Sequence, residues 1–111
     1  MADKPPAPRL KVDHKDGKPP SIRPDHPDVA VGSLLLAETL GTTDLEFLDG
    51  LLGQISNVAS QGRKPDERAI NFMLAMIKAV EPRDEIEAML AAQMAAVHMA
   101  TMTFARRLAH G

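Results

Sequence analysis

The last third of the chain contains the feature that most restricts its fold, a long run of residues without a charged side chain. This run covers Ala88–Ala105. The sequence Pro82-Arg83-Asp84-Glu85 lies shortly before it, and Arg106-Arg107 follows it directly. Proline is tolerated in a first helical turn, and acids before the run and arginines after it complement the helix dipole. The pattern therefore predicts one helix over residues 83–109, which would be about 40 Å long.

At 100° per residue this fourth helix has two apolar faces. The large-residue face carries Ile86, Met89, Leu90, Met94, Val97, Phe104 and Leu108. The small-residue face carries Ala88, Ala91, Ala92, Ala95, Met99 and Met102. We expect the large-residue face to cover the protein's own core. We expect the small-residue face to be the partner interface of a homo-oligomer, most simply a two-fold dimer with antiparallel copies of this helix. The alternative is that both faces are internal to one chain.

Three shorter helices are predicted upstream, so the expected fold is all-α, a small bundle of about four helices. The predicted helices cover about residues 28–40, 43–60, 66–81 and 83–109. Asp28 is expected to cap the first and Gly41 to end it, while Thr43-x-x-Glu46 is a capping-box pattern for the second. Gly50 and Gly53 in the second helix predict the close approach of another helix, with a hinge as the alternative.

Residues 1–27 are predicted to be a disordered Pro/Lys-rich arm that precedes the helical domain, residues 28–111. Seven of the nine prolines lie in this segment, and apolar residues are sparse in it. Each proline lacks a hydrogen-bond donor and restricts the residue before it. Such a segment is not expected to bury enough surface to offset its ordering entropy.

Composition excludes several classes of function. There is no cysteine, which removes disulfides, thiolate zinc sites and cysteine nucleophiles. There is no Trp or Tyr, and the net charge is -2, so neither stacking platforms nor a global positive field favours nucleic acid. The N-terminus has no apolar signal segment, and Gln93, His98 and Thr101 interrupt the uncharged run. We therefore expect a cytoplasmic protein that does not enter a membrane.

The polar residues do not form a pattern typical of an active site, so we predict no catalytic residue, no cofactor site, no metal site and no enzyme activity. His98 has no acid or second histidine four residues away and is interpreted as a packed or interface histidine. His14 and His26 lie near aspartates in the arm, where they would bind metal weakly at most. Asp84, Glu85 and Glu87 are explained by their place in a first helical turn.

Arg106 and Arg107 stand at the negative end of the fourth helix. Cations there stabilise the helix by tenths of a kcal/mol. The alternative interpretation is a phosphate contact, assisted by the lysines and arginines of the arm. The excess of positive charge in the arm is small, so the electrostatics favour this alternative weakly.

The text of residues 84–109, DEIEAMLAAQMAAVHMATMTFARRLA, resembles a family of small uncharacterised alphaproteobacterial proteins that share this run. Residues 51–78, LLGQISNVASQGRKPDERAINFMLAMIK, also look similar, so the resemblance covers roughly the last 65 residues. Other family members continue past the Arg-Arg pair, which implies a short or truncated member here. The resemblance implies no activity and slightly favours an accessory role in a mobile element.

Three functions follow as hypotheses from the sequence. The first is a non-enzymatic helical interaction or oligomerisation module with an unidentified protein partner. The second is a nucleic-acid-associated accessory protein of a mobile element. The third is a regulatory subunit of an enzyme.

Overall fold

Four helices surround one core in the structure, a computed structural model that describes residues 7–13, 17–60 and 64–110, and a short β-hairpin lies against them. The elements are β1 Leu10–Asp13, β2 Ser21–Pro24, α1 Val29–Thr39, α2 Leu45–Ser60, α3 Glu67–Val80 and α4 Glu85–His110. The prediction of a small, mainly helical bundle with four helices is confirmed. Each helix begins and ends within two residues of its predicted position.

An aspartate caps the N-terminus of every helix in the described part of the chain. The carboxylates accept hydrogen bonds from first-turn N–H groups as follows: Asp28 from Ala30 at 3.0 Å, Asp44 from Glu46 at 2.9 Å, Asp66 from Ala69 at 3.1 Å and Asp84 from Glu87 at 2.9 Å. The predicted capping box of Thr43 and Glu46 is wrong. Asp44 satisfies two free N–H groups of α2, which leaves Thr43 outside the helix.

The predicted disordered arm needs correction for its described residues, because two segments of it pair as an antiparallel hairpin. Leu10 lies opposite Pro24 and Asp13 opposite Ser21. The Nε atom of Arg23 donates to Asp13 across the hairpin at 2.5 Å. The prolines permit this pairing because Pro24 stands at the very end of β2, where a missing donor is tolerated. Residues 1–6 and 14–16, which include His14, lie outside the described residues.

Two polar side chains of α3 attach the hairpin to the bundle. Glu67 accepts from the N–H of Val12 at 2.8 Å, and Asn71 bonds to the backbone of Leu10. Leu10 is buried, and its N–H donates to Oδ1 of Asn71 in α3 at 2.7 Å. The Nδ2 atom of Asn71 donates in turn to the Leu10 carbonyl at 2.9 Å. These two bonds satisfy buried backbone groups that the short hairpin leaves unpaired. The sequence pattern missed this attachment because it depends on a residue 61 positions away.

The large side chains of the core come from three of the helices and the hairpin. Its fully buried large side chains are Leu36, Leu40, Ile55, Ile70, Met73, Leu74 and Ile77, which lie in or next to α1, α2 and α3. Leu10 adds to this cluster from the hairpin. The helix α4 contributes alanines to it. The packing of α4 therefore differs in kind from the packing of the other helices.

The start of α4 is held against the end of α1. Gly41 has φ of +64°, and a Cβ at this position would collide with the backbone carbonyl of Pro82. Thr42, which is buried, donates its hydroxyl proton to Glu85 at 2.6 Å. Glycine at position 41 is thus required both by its left-handed backbone and by the close approach of the second chain segment.

Candidate interaction surfaces

The small-residue face of α4 lies inside the protein. Ala88, Ala91, Ala92 and Ala95 are each at most 9% exposed and belong to the core cluster with residues of α2 and α3. The predicted partner interface at these four residues is therefore wrong. Small side chains allow the α4 backbone to approach the large side chains that α2 and α3 point into the core. Met99 is half-buried beside the same cluster, whereas Met102 is exposed.

The large-residue face of α4 points away from the core, so the prediction that it covers the core is also wrong. Its seven members, Ile86, Met89, Leu90, Met94, Val97, Phe104 and Leu108, are between 43% and 69% exposed. The physical reason is that large side chains from α1, α2 and α3 already fill the interior. The space that remains beside them is narrow, so α4 packs there through its small alanine side chains.

This exposed face is long as well as apolar. From Ile86 to Leu108 it extends about 33 Å along the helix. With about 150 Å², the lower limit for a large side chain, its seven members expose roughly 600 Å² together. The largest apolar patch on a typical monomer measures about 300–600 Å². The large-residue face of α4 is therefore as large as the largest patches that soluble monomers leave uncovered.

The second half of α4 has little of the bundle against it. Residues 100–109 are exposed with the exception of Thr103, which is half-buried. Phe104 and Leu108 belong to this segment, so the large-residue face continues past the part of α4 that the core covers. A helix end with such composition is stabilised when another surface covers it.

An open groove between α2 and α4 adjoins the large-residue face. Its volume is about 440 Å³, and its walls include Phe47, Gly50 and Val58 of α2 and Met89 of α4. A Cβ at Gly50 or at Gly53 would meet no atom within 4 Å. The predicted close approach of another helix at these two glycines is therefore wrong within the described part of the chain. The exposed surface at Gly50 leaves the α2 backbone accessible beside Met89.

The two C-terminal arginines face different grooves. Arg106 lines a groove of about 650 Å³ between α3 and α4, together with Arg9, which precedes β1, and Arg68 of α3. Arg107 lines a smaller groove beside the end of α2. The two arginines of the predicted phosphate contact therefore line separate grooves. Arg106 shares its groove with two other basic residues, Arg9 and Arg68. The sequence showed Arg9 and Arg68 as unrelated residues because 59 positions separate them.

Arg83 and Glu87 form an ion pair at the start of α4. The side chain of Arg83 donates to Glu87 through Nε at 3.3 Å and Nη2 at 3.1 Å, and its backbone N–H donates at 2.8 Å. These hydrogen bonds lower the pKa of Glu87 below its ordinary value, and the same bonding raises the pKa of Arg83. Both groups lie at the surface, so this pair caps a helix and does not indicate catalysis.

His98 is exposed and lies beside an aromatic ring of α3. The ring centroids of His98 and Phe72 are 6.3 Å apart, and the planes are inclined at 51°. Of the two interpretations of His98, the packed side chain is wrong and the interface histidine stays a prediction. No group of three or more His, Asp or Glu side chains lies close enough to hold a metal ion within residues 7–13, 17–60 and 64–110.

Comparisons with protein-family models, with curated proteins and with solved structures give no match for this chain. The resemblance to the alphaproteobacterial family is not tested by them and stays a prediction. Among the described helices, the one that is long and apolar enough to cross a membrane is Glu85–Ala109, with a mean hydropathy of 1.3. The chain itself buries 22% of the most apolar part of this helix.

Proposed function

We propose that this protein is a non-enzymatic helical module that pairs with a second copy of itself through the large-residue face of α4. The observation that supports this proposal is the exposure of the seven large apolar side chains along about 33 Å of one helix. The interior is already filled from α1, α2 and α3, so this face has no place in the core of its own chain. Covering it requires another molecule.

The area of the face supports a second copy as the molecule that covers it. Two copies that bury the face against each other would remove roughly 1,200 Å² from water, which is the lower limit for a specific, stable protein interface. Two-fold symmetry is the commonest way to satisfy a self-complementary surface. The face is apolar in its centre, as expected at the centre of a homodimer interface.

The charges at the ends of α4 favour an antiparallel arrangement. The acids Asp84, Glu85 and Glu87 lie at its beginning, and Arg107 lies at its end, at the edge of the large-residue face. Pairing centred near Val97 brings the acidic end of one copy beside the basic end of the other. A parallel arrangement would bring like charges together instead. The antiparallel arrangement also opposes the two helix dipoles.

Sedimentation equilibrium tests the proposal with a matched pair of variants. Leu90→Glu places a charge within the large-residue face, whereas Leu34→Glu places one on α1 at a leucine of similar exposure. We expect a dimer for the wild type and for Leu34→Glu. For Leu90→Glu we expect a dissociation constant at least tenfold higher, with an unchanged helical circular dichroism spectrum, because each carboxylate would be buried against apolar side chains of the other copy.

Other occupants of the face give different results in the same experiment. A wild type that is monomeric at about 100 µM excludes the dimer. If that monomer floats with phosphatidylcholine–phosphatidylglycerol vesicles and Leu90→Glu does not, the face binds a membrane surface and the dimer proposal is wrong. Equal dissociation by both variants would also contradict the proposal, because the effect would then be independent of α4.

A further inference from the structure

The groove between α3 and α4 brings together three arginines from three separate parts of the fold. Arg9 precedes the hairpin, Arg68 lies in the first turns of α3 and Arg106 lies near the end of α4. The whole chain has a net charge of -2, so this concentration of positive charge is a local property. Three guanidinium groups that line one groove provide several charge-assisted hydrogen-bond donors for an anion.

None of the three arginines is paired within the described part of the chain. The ion pairs found there join Arg23 to Asp13 and Arg83 to Glu87, at other places on the surface. Asp66 is the one acid among the described residues that line the groove. Its carboxylate is engaged in capping α3, where it accepts from the N–H of Ala69 at 3.1 Å. The guanidinium donors thus remain available to a ligand.

The same groove has an apolar side. Phe72, Ala75 and Met99 line it, and the Phe72 ring is half exposed, with His98 beside it. Exposed aromatic rings provide a stacking surface for the flat face of a nucleobase. Arginines bind phosphate through paired, charge-assisted hydrogen bonds. The volume of about 650 Å³ is in the range of small-ligand sites.

We propose that this groove binds a nucleotide, whose phosphate lies among Arg9, Arg68 and Arg106 and whose base lies against Phe72. The nucleotide is either free or part of a single strand, since both present a phosphate and a flat base. Arg106 lies about 180° around α4 from Val97, at 100° per residue. The groove therefore stays open when the large-residue face pairs with a second copy, and the two proposals are independent.

Titration calorimetry of the full chain at low salt tests the groove with adenosine monophosphate and with inorganic phosphate. Fluorescence anisotropy tests it with a labelled thymidine oligonucleotide. The matched variants are Arg106→Gln and Arg107→Gln, which each remove one of two adjacent arginines. Arg106 lines the groove, whereas Arg107 lines another groove and is the control. We expect Arg106→Gln and Arg68→Gln to weaken binding at least tenfold and Arg107→Gln to change it less than twofold.

Phe72→Ala separates the two parts of the site. It should weaken the nucleotide severalfold and leave inorganic phosphate unchanged, because phosphate makes no contact with the ring. If adenosine monophosphate binds and Arg106→Gln, Arg68→Gln and Phe72→Ala weaken it, the ligand is a free nucleotide. If only the oligonucleotide binds and the same variants weaken it, the ligand is a single strand. Absence of binding by all probes overturns the proposal. Equal losses in Arg106→Gln and Arg107→Gln also overturn it, because they indicate a diffuse electrostatic attraction.

Discussion

Ala95 and Val97 are two residues apart in α4 and point to opposite sides of the helix, so a glutamate at each position has a different expected effect. Ala95 is 2% exposed and Val97 is 65% exposed. A glutamate at position 95 must place its carboxylate among core side chains or force α4 away from α2 and α3. A glutamate at position 97 lies in water in the single chain.

The expected loss of stability at Ala95 follows from this burial. A carboxyl group in apolar surroundings stays protonated, and protonating one at pH 7 from an ordinary pKa near 4.3 costs about 4 kcal/mol. The additional side-chain volume costs about 1–3 kcal/mol in a closely packed core. A chain of this length has a total stability of about 5–15 kcal/mol. Ala95→Glu should therefore remove most of the stability, whereas Val97→Glu should change that of the single chain by about 0.5 kcal/mol at most.

Urea denaturation followed by circular dichroism measures both variants. The runs are made at several protein concentrations, so that loss of dimer and loss of fold are separated. Burial raises the pKa of a glutamate, so the destabilisation at Ala95 should shrink as the pH falls from 7 toward 4.5, where protonation costs little. If Ala95→Glu unfolds at the wild-type urea concentration and Val97→Glu does not fold, the assignment of the two faces is refuted.

Three further predictions concern single contacts. Asn71→Leu removes both hydrogen bonds to the buried backbone of Leu10 and should cost about 2–4 kcal/mol, with faster hydrogen exchange in β1 as the specific readout. Gly41→Ala should cost about 2 kcal/mol or more by thermal denaturation, since φ is positive and the added methyl group meets backbone; a wild-type melting temperature would contradict the close approach. The pKa of Glu87 is lowered by Arg83, so the stabilisation from this pair should be present above the ordinary carboxyl pKa and lost as the pH falls through the lowered value. NMR titration of the carboxyl carbon should show the Glu87 pKa returning toward its ordinary value in Arg83→Gln, and an unchanged pKa would exclude the pair.

The candidate site was predictable from the sequence in part. Arg106 was identified from its position at the end of α4 as a possible phosphate contact. Arg9 was not, because it reaches the groove only through the hairpin that docks on Asn71 of α3. Arg68 was not, because it shares a groove with Arg106 only when α3 and α4 pack together. A basic residue in isolation gives no signal of this kind. Proximity in the sequence also grouped Arg106 with Arg107, which the helix turns toward another groove.

Local interactions determined the helices, and so the sequence alone was sufficient to place them. An aspartate cap, the positive φ of Gly41 and the apolar spacing act over a few residues. The hairpin escaped prediction because its attachment to the bundle joins Leu10 to a distant side chain, and composition alone indicated disorder.

Only the tertiary structure decided which side of α4 faces inward. Hydrophobicity ranks Ile86, Leu90 and Phe104 above alanine, and a ranking by side chain alone places them in the core. In the folded chain, however, the large side chains of α1, α2 and α3 fill most of the interior. The helix α4 packs against them closely, at a distance that only small side chains such as alanine permit. The amount of volume still unfilled is a property of the whole fold, and no single segment of the sequence contains it.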